Sequence, residues 1–171
     1  MEFKFELLED GSAKLTEVSG EDEVVFIPDT WEEHKITVIG ARTFYGHREI
    51  KRVRLPQHVI QIESYAFAEC RFLEQMDIPE HTQMIGDYCF YNCIRLARVH
   101  LPGEITNMGY GAFKNDTDLT DVHIHVAQGE EHRVNAILNE TNFEQTPGYG
   151  TDYHCDRARQ LIRTYCNAPD A

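Results

Sequence analysis

The sequence predicts a β-rich α/β solenoid, in which short coils stack in a right-handed array and each coil adds one strand to a parallel ladder. Three observations predict this fold. A strand-like segment recurs every 23 residues, two further apolar markers keep the same step, and one unit of this size cannot bury its own apolar face. The recurring segments are 50–56, 73–79, 96–102 and 119–125. Neighbouring copies must therefore share one core.

The two apolar markers fix the register of the copies. One marker is an aliphatic residue that usually precedes glycine, and the other is a phenylalanine. They fall at Ile39, Ile62, Ile85 and Met108, and at Phe44, Phe67, Phe90 and Phe113. We expect the phenylalanines to form a column through the shared interior. We also expect Gly40, Gly86 and Gly109 to mark tight backbone turns, with Glu63 as the exception.

The N-terminal residues 1–24 predict a β-hairpin that caps the array. Residues 3–8 and 13–18 are typical of two strands, and the turn 9–12 between them contains an Asp-Gly pair. The front of a solenoid exposes unpaired strand groups, and such a hairpin would cover them.

Residues 25–125 predict five repeat copies, of which the first carries an insertion. Its Ile27 and Ile39 are 12 residues apart, where the later copies need 7. The five extra residues lie in the stretch that contains residues 31–34. Because added loop length costs little closure entropy, this loop can bulge from the stack without disturbing the register.

The motif order within two copies indicates a family. The clearest copy runs Leu55-Pro56, Ile62, Ala66-Phe67, Cys70 and Leu73, and the next runs Ile78-Pro79, Ile85-Gly86, Phe90, Cys93 and Leu96. This order resembles the bacterial BspA-like leucine-rich repeat family over residues 1 to about 125. Departures such as Asp116 at the cysteine position and His125 at the last proline suggest degenerate terminal copies. The resemblance implies a leucine-rich-repeat stack that recognises proteins or glycans, since members are known as surface adhesins.

Residues 126–171 predict a C-terminal helical cap. Val134, Ile137 and Leu138 form the apolar side of a first helix. After a break at 145–150, Ala158, Leu161, Ile162 and Tyr165 follow the spacing of a second amphipathic helix. We expect this helix to cover the open end of the stack, and a docking helix for a partner is the alternative.

Composition and charge exclude several classes of protein. The 171 residues carry 16 Lys and Arg against 29 Asp and Glu, a net charge of −13, which argues against nucleic-acid binding through a broad basic face. No apolar run approaches the roughly 20 residues that span a bilayer. Acidic residues in the first six positions do not fit a signal peptide. We therefore expect a cytoplasmic protein, with a secreted or surface protein whose leader was removed as the alternative.

The five cysteines favour reduced thiols because their count is odd and their spacing is not dense. Cys70 and Cys93 share one repeat position in adjacent coils, where their backbones could fall within disulfide range. That position normally points into the core, so we expect buried thiols. Cys155 and Cys166 share a helix face and are expected to meet the core as well.

The search for chemistry yields one metal hypothesis. His123 and His125 would point to the same side of a strand, and His100 would lie one strand away, about 4.8 Å in the pairing direction. These three could serve zinc in a metal-dependent enzyme, although further ligands are needed. The simpler interpretation is that His123 is an exposed ladder residue and His125 replaces a strand-ending proline. Because no catalytic motif occurs, we expect no enzyme and no cofactor.

The exposed face of the strand ladder is the most informative surface. Strand residues such as Val53 and Leu55 alternate with polar neighbours, so every second side chain points to solvent. The outward rows read Phe26, Arg54, Asp77, His100, His123 and Val24, Arg52, Gln75, Arg98, Asp121. A protein of net charge −13 therefore displays a locally basic face with an apolar end.

Two interpretations of this face stay open. Arg54–Asp77 and Arg98–Asp121 could be cross-strand ion pairs that keep the sheet soluble, each contributing about 0.2–1 kcal/mol. Alternatively, the face binds an acidic segment of another protein or an anionic glycan, and the chain is a non-catalytic binding module. The predicted binding residues are then Phe26, Arg52, Arg54, Asp77, Arg98, His100, Asp121 and His123.

Overall fold

The computed structural model describes residues 1–125, which form a β-solenoid. Its strands are β1 Glu2–Leu7, β2 Ala13–Ser19, β3 Val24–Phe26, β4 Thr30–Trp31, β5 His34–Ile39, β6 Arg52–Arg54, β7 Gln61–Ile62, β8 Gln75–Asp77, β9 Met84–Ile85, β10 Arg98–Pro102, β11 Asn107–Met108 and β12 Asp121–His125. Turns connect the strands, and no helix in this part of the chain could cross a membrane. The solenoid prediction is confirmed, whereas the predicted helical cap over 126–171 lies outside the described residues.

One wall of the solenoid is a parallel sheet of β5, β7, β9 and β11. Its register pairs Ile39 with Ile62, Ile62 with Ile85, and Ile85 with Met108. The 23-residue step is therefore one full coil, and the first marker of every copy meets its equivalent in the next.

The opposite wall carries the predicted ladder, but it is divided. β3 pairs with β6, and β8, β10 and β12 form a separate parallel sheet. The segments that lead into β6 and β8 still lie next to each other: the Glu74 N–H donates to the Lys51 carbonyl at 3.0 Å. The single continuous ladder that the sequence predicts is thus wrong at this one junction.

The phenylalanine column is confirmed. Phe44, Phe67, Phe90 and Phe113 are fully buried, and consecutive ring centroids lie 4.7, 5.3 and 5.3 Å apart with nearly parallel planes. Burial of each such side chain stabilises the fold by roughly 1.5–3 kcal/mol, and each aromatic contact adds about 0.5–1.5 kcal/mol. This column supports the inference that neighbouring coils supply one another's core.

Each coil turns its corner at two residues with positive φ, one on either side of the column phenylalanine. The first position holds Arg42, Tyr65, Tyr88 and Gly111, and the second holds Gly46, Glu69, Asn92 and Asn115, with φ between 52° and 75°. The intervening amides then point along the stack, as when the Phe67 N–H donates to the Cys89 carbonyl at 2.8 Å. These inter-coil bonds hold residues such as Tyr65 in a conformation that side chains seldom adopt.

The marker glycines act differently from the prediction. Gly40, Gly86 and Gly109 are absent from the positive-φ residues of the described chain. A Cβ on Gly86 would lie 2.4 Å from the Ser64 nitrogen, and one on Gly109 would lie 2.3 Å from the Asp87 nitrogen. Close approach of adjacent coils, not a tight turn, therefore explains the glycine at these positions.

The N-terminal hairpin forms as predicted, and the insertion adds a feature that the sequence did not indicate. β1 pairs antiparallel with β2, and β2 pairs parallel with β5, which extends the first wall. The inserted residues form β4, which turns back on β5 through Glu32 and Glu33. Trp31 on β4 stacks on Phe5 of β1 at 5.4 Å. The insertion thus fastens the cap to the first coil.

Candidate functional site

The structure places the predicted ladder residues in the expected rows within each part of the divided ladder. Phe26 lies opposite Arg54, and Val24 lies opposite Arg52. On the second part, the strand register pairs Asp77 with His100 with His123, and Gln75 with Arg98 with Asp121. The division between β6 and β8 separates the first group from the second, so the eight predicted residues do not form one uninterrupted sheet surface.

Arg54 has a different partner from the one considered in the sequence. Its guanidinium donates to Asp29 Oδ1 at 2.7 Å and to the Ile27 carbonyl at 3.0 Å, and it lies 4.7 Å above the Phe26 ring. The suggested Arg54–Asp77 pair is therefore wrong, because Asp29 follows the first strand and is closer. The hydrogen bond from Arg54, with a second from the Gln57 N–H, lowers the pKa of the Asp29 carboxyl. Arg54 is thus held in place with its charge compensated.

The other charged residues of the face are less constrained. Arg98 Nε lies 3.8 Å from Asp121 Oδ2, as the sequence suggests, and His100 Nδ1 lies 3.7 Å from Asp77 Oδ1. These exposed pairs contribute little to stability. Within residues 1–125, no carboxylate comes within ion-pair distance of Arg52. Arg52 is therefore the arginine of the face whose charge is left for a ligand.

The histidines do not form a metal site in the described chain. The His100 and His123 rings meet edge to face at 5.1 Å. Partial burial lowers the pKa of His123, and the neighbouring His100 and His125 lower it further. No group of three or more metal-ligating side chains converges within residues 1–125. This geometry favours a structural role for His123, although the residue is half-buried and not exposed as the sequence predicts.

A shallow depression of about 580 Å³ lies over the junction between β6 and β8. Its lining combines the apolar end of the ladder with charged groups from both parts. The residues include Phe26, Arg52, Arg54, Gln75, Asp77, His58 and His81. Val24 and Phe26 are 67% and 66% exposed, the highest values among the large hydrophobic side chains of the described chain. The depression therefore offers an exposed aromatic anchor beside mixed charge.

Four polar or charged lining residues were missed by the sequence analysis. They follow the strand-ending prolines and form one rim of the depression: Gln57, His58, Glu80 and His81. His58, His81 and Glu104 share one repeat position, and His81 Nδ1 lies 3.2 Å from Glu104 Oε1. The 23-residue step would have revealed this row if it had been followed beyond the strands.

The cysteines of the repeats are buried, as predicted. Cys70 Sγ donates to the Phe44 carbonyl at 3.0 Å, and Cys93 Sγ donates to the Phe67 carbonyl at 3.1 Å. Burial raises the pKa of the Cys70 thiol to about 12, and it also raises the pKa of Cys89 and Cys93. These thiols are poor nucleophiles. The predicted placement of Cys155 and Cys166 lies outside the described residues.

Asp116 occupies the cysteine position of the last described copy and is also fully buried. Its Oδ1 accepts the Cys93 N–H at 2.9 Å, while Oδ2 has no hydrogen-bond partner among the described residues. Burial raises the pKa of this carboxyl well above its usual range. Loss of solvation makes the ionised form costly here, so the protonated acid is favoured.

Comparison with protein families identifies the repeat. The model of the BspA type leucine rich repeat region matches six copies over residues 27–143. The matched range covers more than half of the chain, and it continues beyond residue 125. No curated protein sequence matches the chain.

Solved structures share the fold. A leucine-rich repeat protein from Bacteroides capillosus is 27% identical with a TM-score of 0.66, over 72% of this chain and 94% of that chain. The T. pallidum leucine-rich repeat protein is 23% identical with a TM-score of 0.59, over 71% of this chain and 68% of that chain. The pneumococcal vaccine antigen PcpA is 21% identical with a TM-score of 0.59, over 67% of this chain but 29% of that chain.

Proposed function

Because the chain belongs to the BspA-type leucine-rich repeat family, we propose that it is a non-catalytic module that binds a partner protein on its ladder face. The family is generally protein-binding or adhesin-like. The observation that carries the proposal is the depression over the β6–β8 junction, where an exposed Phe26 lies beside arginines and histidines. Aromatic and arginine side chains supply most of the binding energy at protein interfaces.

The contacts of the face divide its residues by role. Asp29 and the Phe26 ring hold the Arg54 side chain, so Arg54 supports the shape of the depression. Phe26 and Arg52 are the groups available to a ligand, since one is an exposed ring and the other carries an uncompensated charge. An acidic protein segment with an apolar side chain fits this combination, and an anionic glycan is the alternative ligand.

Buried repeat thiols are compatible with a cytoplasmic module, and membership of the BspA-type family is compatible with a surface adhesin. The two locations predict the same binding face. We propose the cytoplasmic location, for which the reduced cysteines Cys70, Cys89 and Cys93 are the support.

The test is comparative affinity capture from the native cell. Wild-type protein and the double variant Phe26→Ser/Arg52→Ser are immobilised, and the retained proteins are quantified by mass spectrometry. The matched control is Met84→Ser, which removes an apolar side chain that is 40% exposed on β9 of the other wall. We expect the double variant to lose a partner that the control retains. Identical retained sets would remove the ladder face from consideration.

A further inference from the structure

A second aromatic surface lies at the corners that follow the strands of the first wall. We call it the tyrosine ridge. It consists of Tyr45, Tyr65, Tyr88, Tyr91 and Tyr110. Tyr45 and Tyr110 are 45% and 42% exposed, and the other three are half-buried. The left-handed corners produce this surface, since Tyr65 and Tyr88 are themselves positive-φ residues whose side chains leave the core.

Four of the five rings form a continuous contact surface, and Arg42 links Tyr45 to it. Tyr65 and Tyr88 are stacked with centroids 5.4 Å apart, and Tyr88 meets Tyr91 and Tyr110 edge to face at 5.7 Å. Tyrosine combines a large apolar ring with a hydroxyl that can donate and accept hydrogen bonds, and it is enriched at protein–protein interfaces. The ridge therefore has the composition of an interface and is partly rigidified by its own packing.

A positively charged side chain lies at each end of the tyrosine ridge. The Arg42 guanidinium lies 4.7 Å from the Tyr65 ring and 5.4 Å from the Tyr45 ring. Lys114 Nζ lies 5.8 Å from Tyr88 and 6.0 Å from Tyr91. Within residues 1–125, neither cation has a carboxylate at ion-pair distance. The rings fix the positions of both charges and leave them uncompensated.

The acidic residues near the ridge are already engaged. Asp87 Oδ1 accepts the Tyr110 N–H at 2.9 Å. Glu69 binds Arg71 at 3.0 Å and accepts from the Asn92 amide at 2.8 Å. Asp87 has no cation at ion-pair distance within residues 1–125, so Arg42 and Lys114 leave the ridge with two unpaired positive charges against one unpaired negative charge, on a chain whose net charge is −13. Charge complementarity favours an acidic ligand.

We propose that the tyrosine ridge, with Arg42 and Lys114 at its ends, is a second binding surface that takes an extended acidic segment of a partner protein. Three coils separate the two cations, which corresponds to about 14 Å at about 4.8 Å per coil. An extended peptide covers that distance in about four residues, at about 3.3 Å per residue. The segment carries carboxylates at this spacing and apolar or aromatic side chains between them.

The test is selection of peptides from a displayed random library on the immobilised full-length protein. We expect enriched peptides with two acidic residues about four positions apart around an aromatic or apolar residue. The ridge variant Arg42→Gln/Lys114→Gln should bind these peptides at least about tenfold more weakly, because both terminal charges are lost. The ladder variant Phe26→Ser/Arg52→Ser separates the two surfaces: peptides that bind the ridge should bind this variant like wild type, whereas peptides that bind the ladder face should not.

Each outcome decides the proposal separately from the ladder face. Peptides that lose affinity only in the ridge variant support it, whatever the fate of ladder-face binding. A selection in which every enriched peptide binds the ridge variant unchanged overturns it, as does enrichment of neutral or basic sequences or of none. Urea unfolding of both variants is the control for folding. A midpoint equal to that of wild type shows that the substitutions act on binding and not on folding.

Discussion

Replacement of Asp116 by asparagine should stabilise the protein near neutral pH. The carboxyl is fully buried, and one of its oxygens has no hydrogen-bond partner among the described residues. Asparagine keeps the size of the side chain and an oxygen that can accept the Cys93 N–H. Cys70 and Cys93, at equivalent positions, each donate to a phenylalanine carbonyl, and the amide of asparagine supplies such a donor without titrating.

The size of the effect follows from the direction of the pKa shift. Burial raises the pKa of Asp116 in the folded state well above 3.8, the ordinary value of an aspartate, so the folded chain holds a proton that the unfolded chain releases. The contribution of Asp116 to the wild-type free energy of unfolding is therefore highest below about pH 3.8. Above that pH it falls by about 1.4 kcal/mol per pH unit, until the carboxyl ionises in the folded state. The asparagine variant has no such loss.

Urea unfolding of both proteins at pH 4, 5, 6 and 7 measures this difference. We expect the two free energies to be similar at pH 4 and the variant to exceed wild type by at least about 1–3 kcal/mol at pH 7. Asp118→Asn, an exposed change in the same turn, is the control and should follow wild type within about 0.5 kcal/mol. A difference that does not grow with pH would refute the reasoning.

Two further predictions concern the core. Phe67→Ala should lower the free energy of unfolding by about 3–5 kcal/mol in urea denaturation, because Phe67 is stacked on both sides, whereas Phe72→Ala at a 40% exposed position should cost much less. Equal effects would argue against a shared column. At pH 8, Cys70, Cys89 and Cys93 should react with a thiol reagent only as the fold opens, since burial raises the pKa of Cys70 to about 12. Peptide mapping by mass spectrometry follows each site, and labelling of these cysteines at the rate of a free thiol would contradict their burial.

The sequence was sufficient for the features that repeat in every copy. The aliphatic marker and the phenylalanine recur at one spacing, and side chains so placed must stack if each coil is to bury its apolar face. Ile62 therefore pairs with Ile85, and Phe67 stacks on Phe90, as predicted. The hairpin cap could be predicted because its turn has a recognisable chemistry.

The features that the sequence did not predict depend on particular geometry. Asp29 reaches Arg54 because of the path that the first copy takes after its strand, and no periodic pattern encodes that contact. The division between β6 and β8 has no sequence signal that we can identify. Tyr65 and Tyr88 adopt positive φ because inter-coil hydrogen bonds require it, although tyrosine has no preference for that region. Tyr65 and Tyr88 each lie two residues before the column phenylalanine of their coil, and this shared spacing was a usable sequence signal for the tyrosine ridge.

Adjacent coils approach each other closely at Gly86 and at Gly109, and the repetition of this contact from coil to coil has a further consequence. Since each coil touches only its neighbours and begins at the same point of the circuit as the one before, the architecture has no preferred number of coils. Duplication or deletion of one 23-residue segment rejoins equivalent backbone positions and creates no new kind of contact. Such a gene can change the length of the solenoid by whole coils. A surface to which each coil contributes one residue then lengthens or shortens with the solenoid.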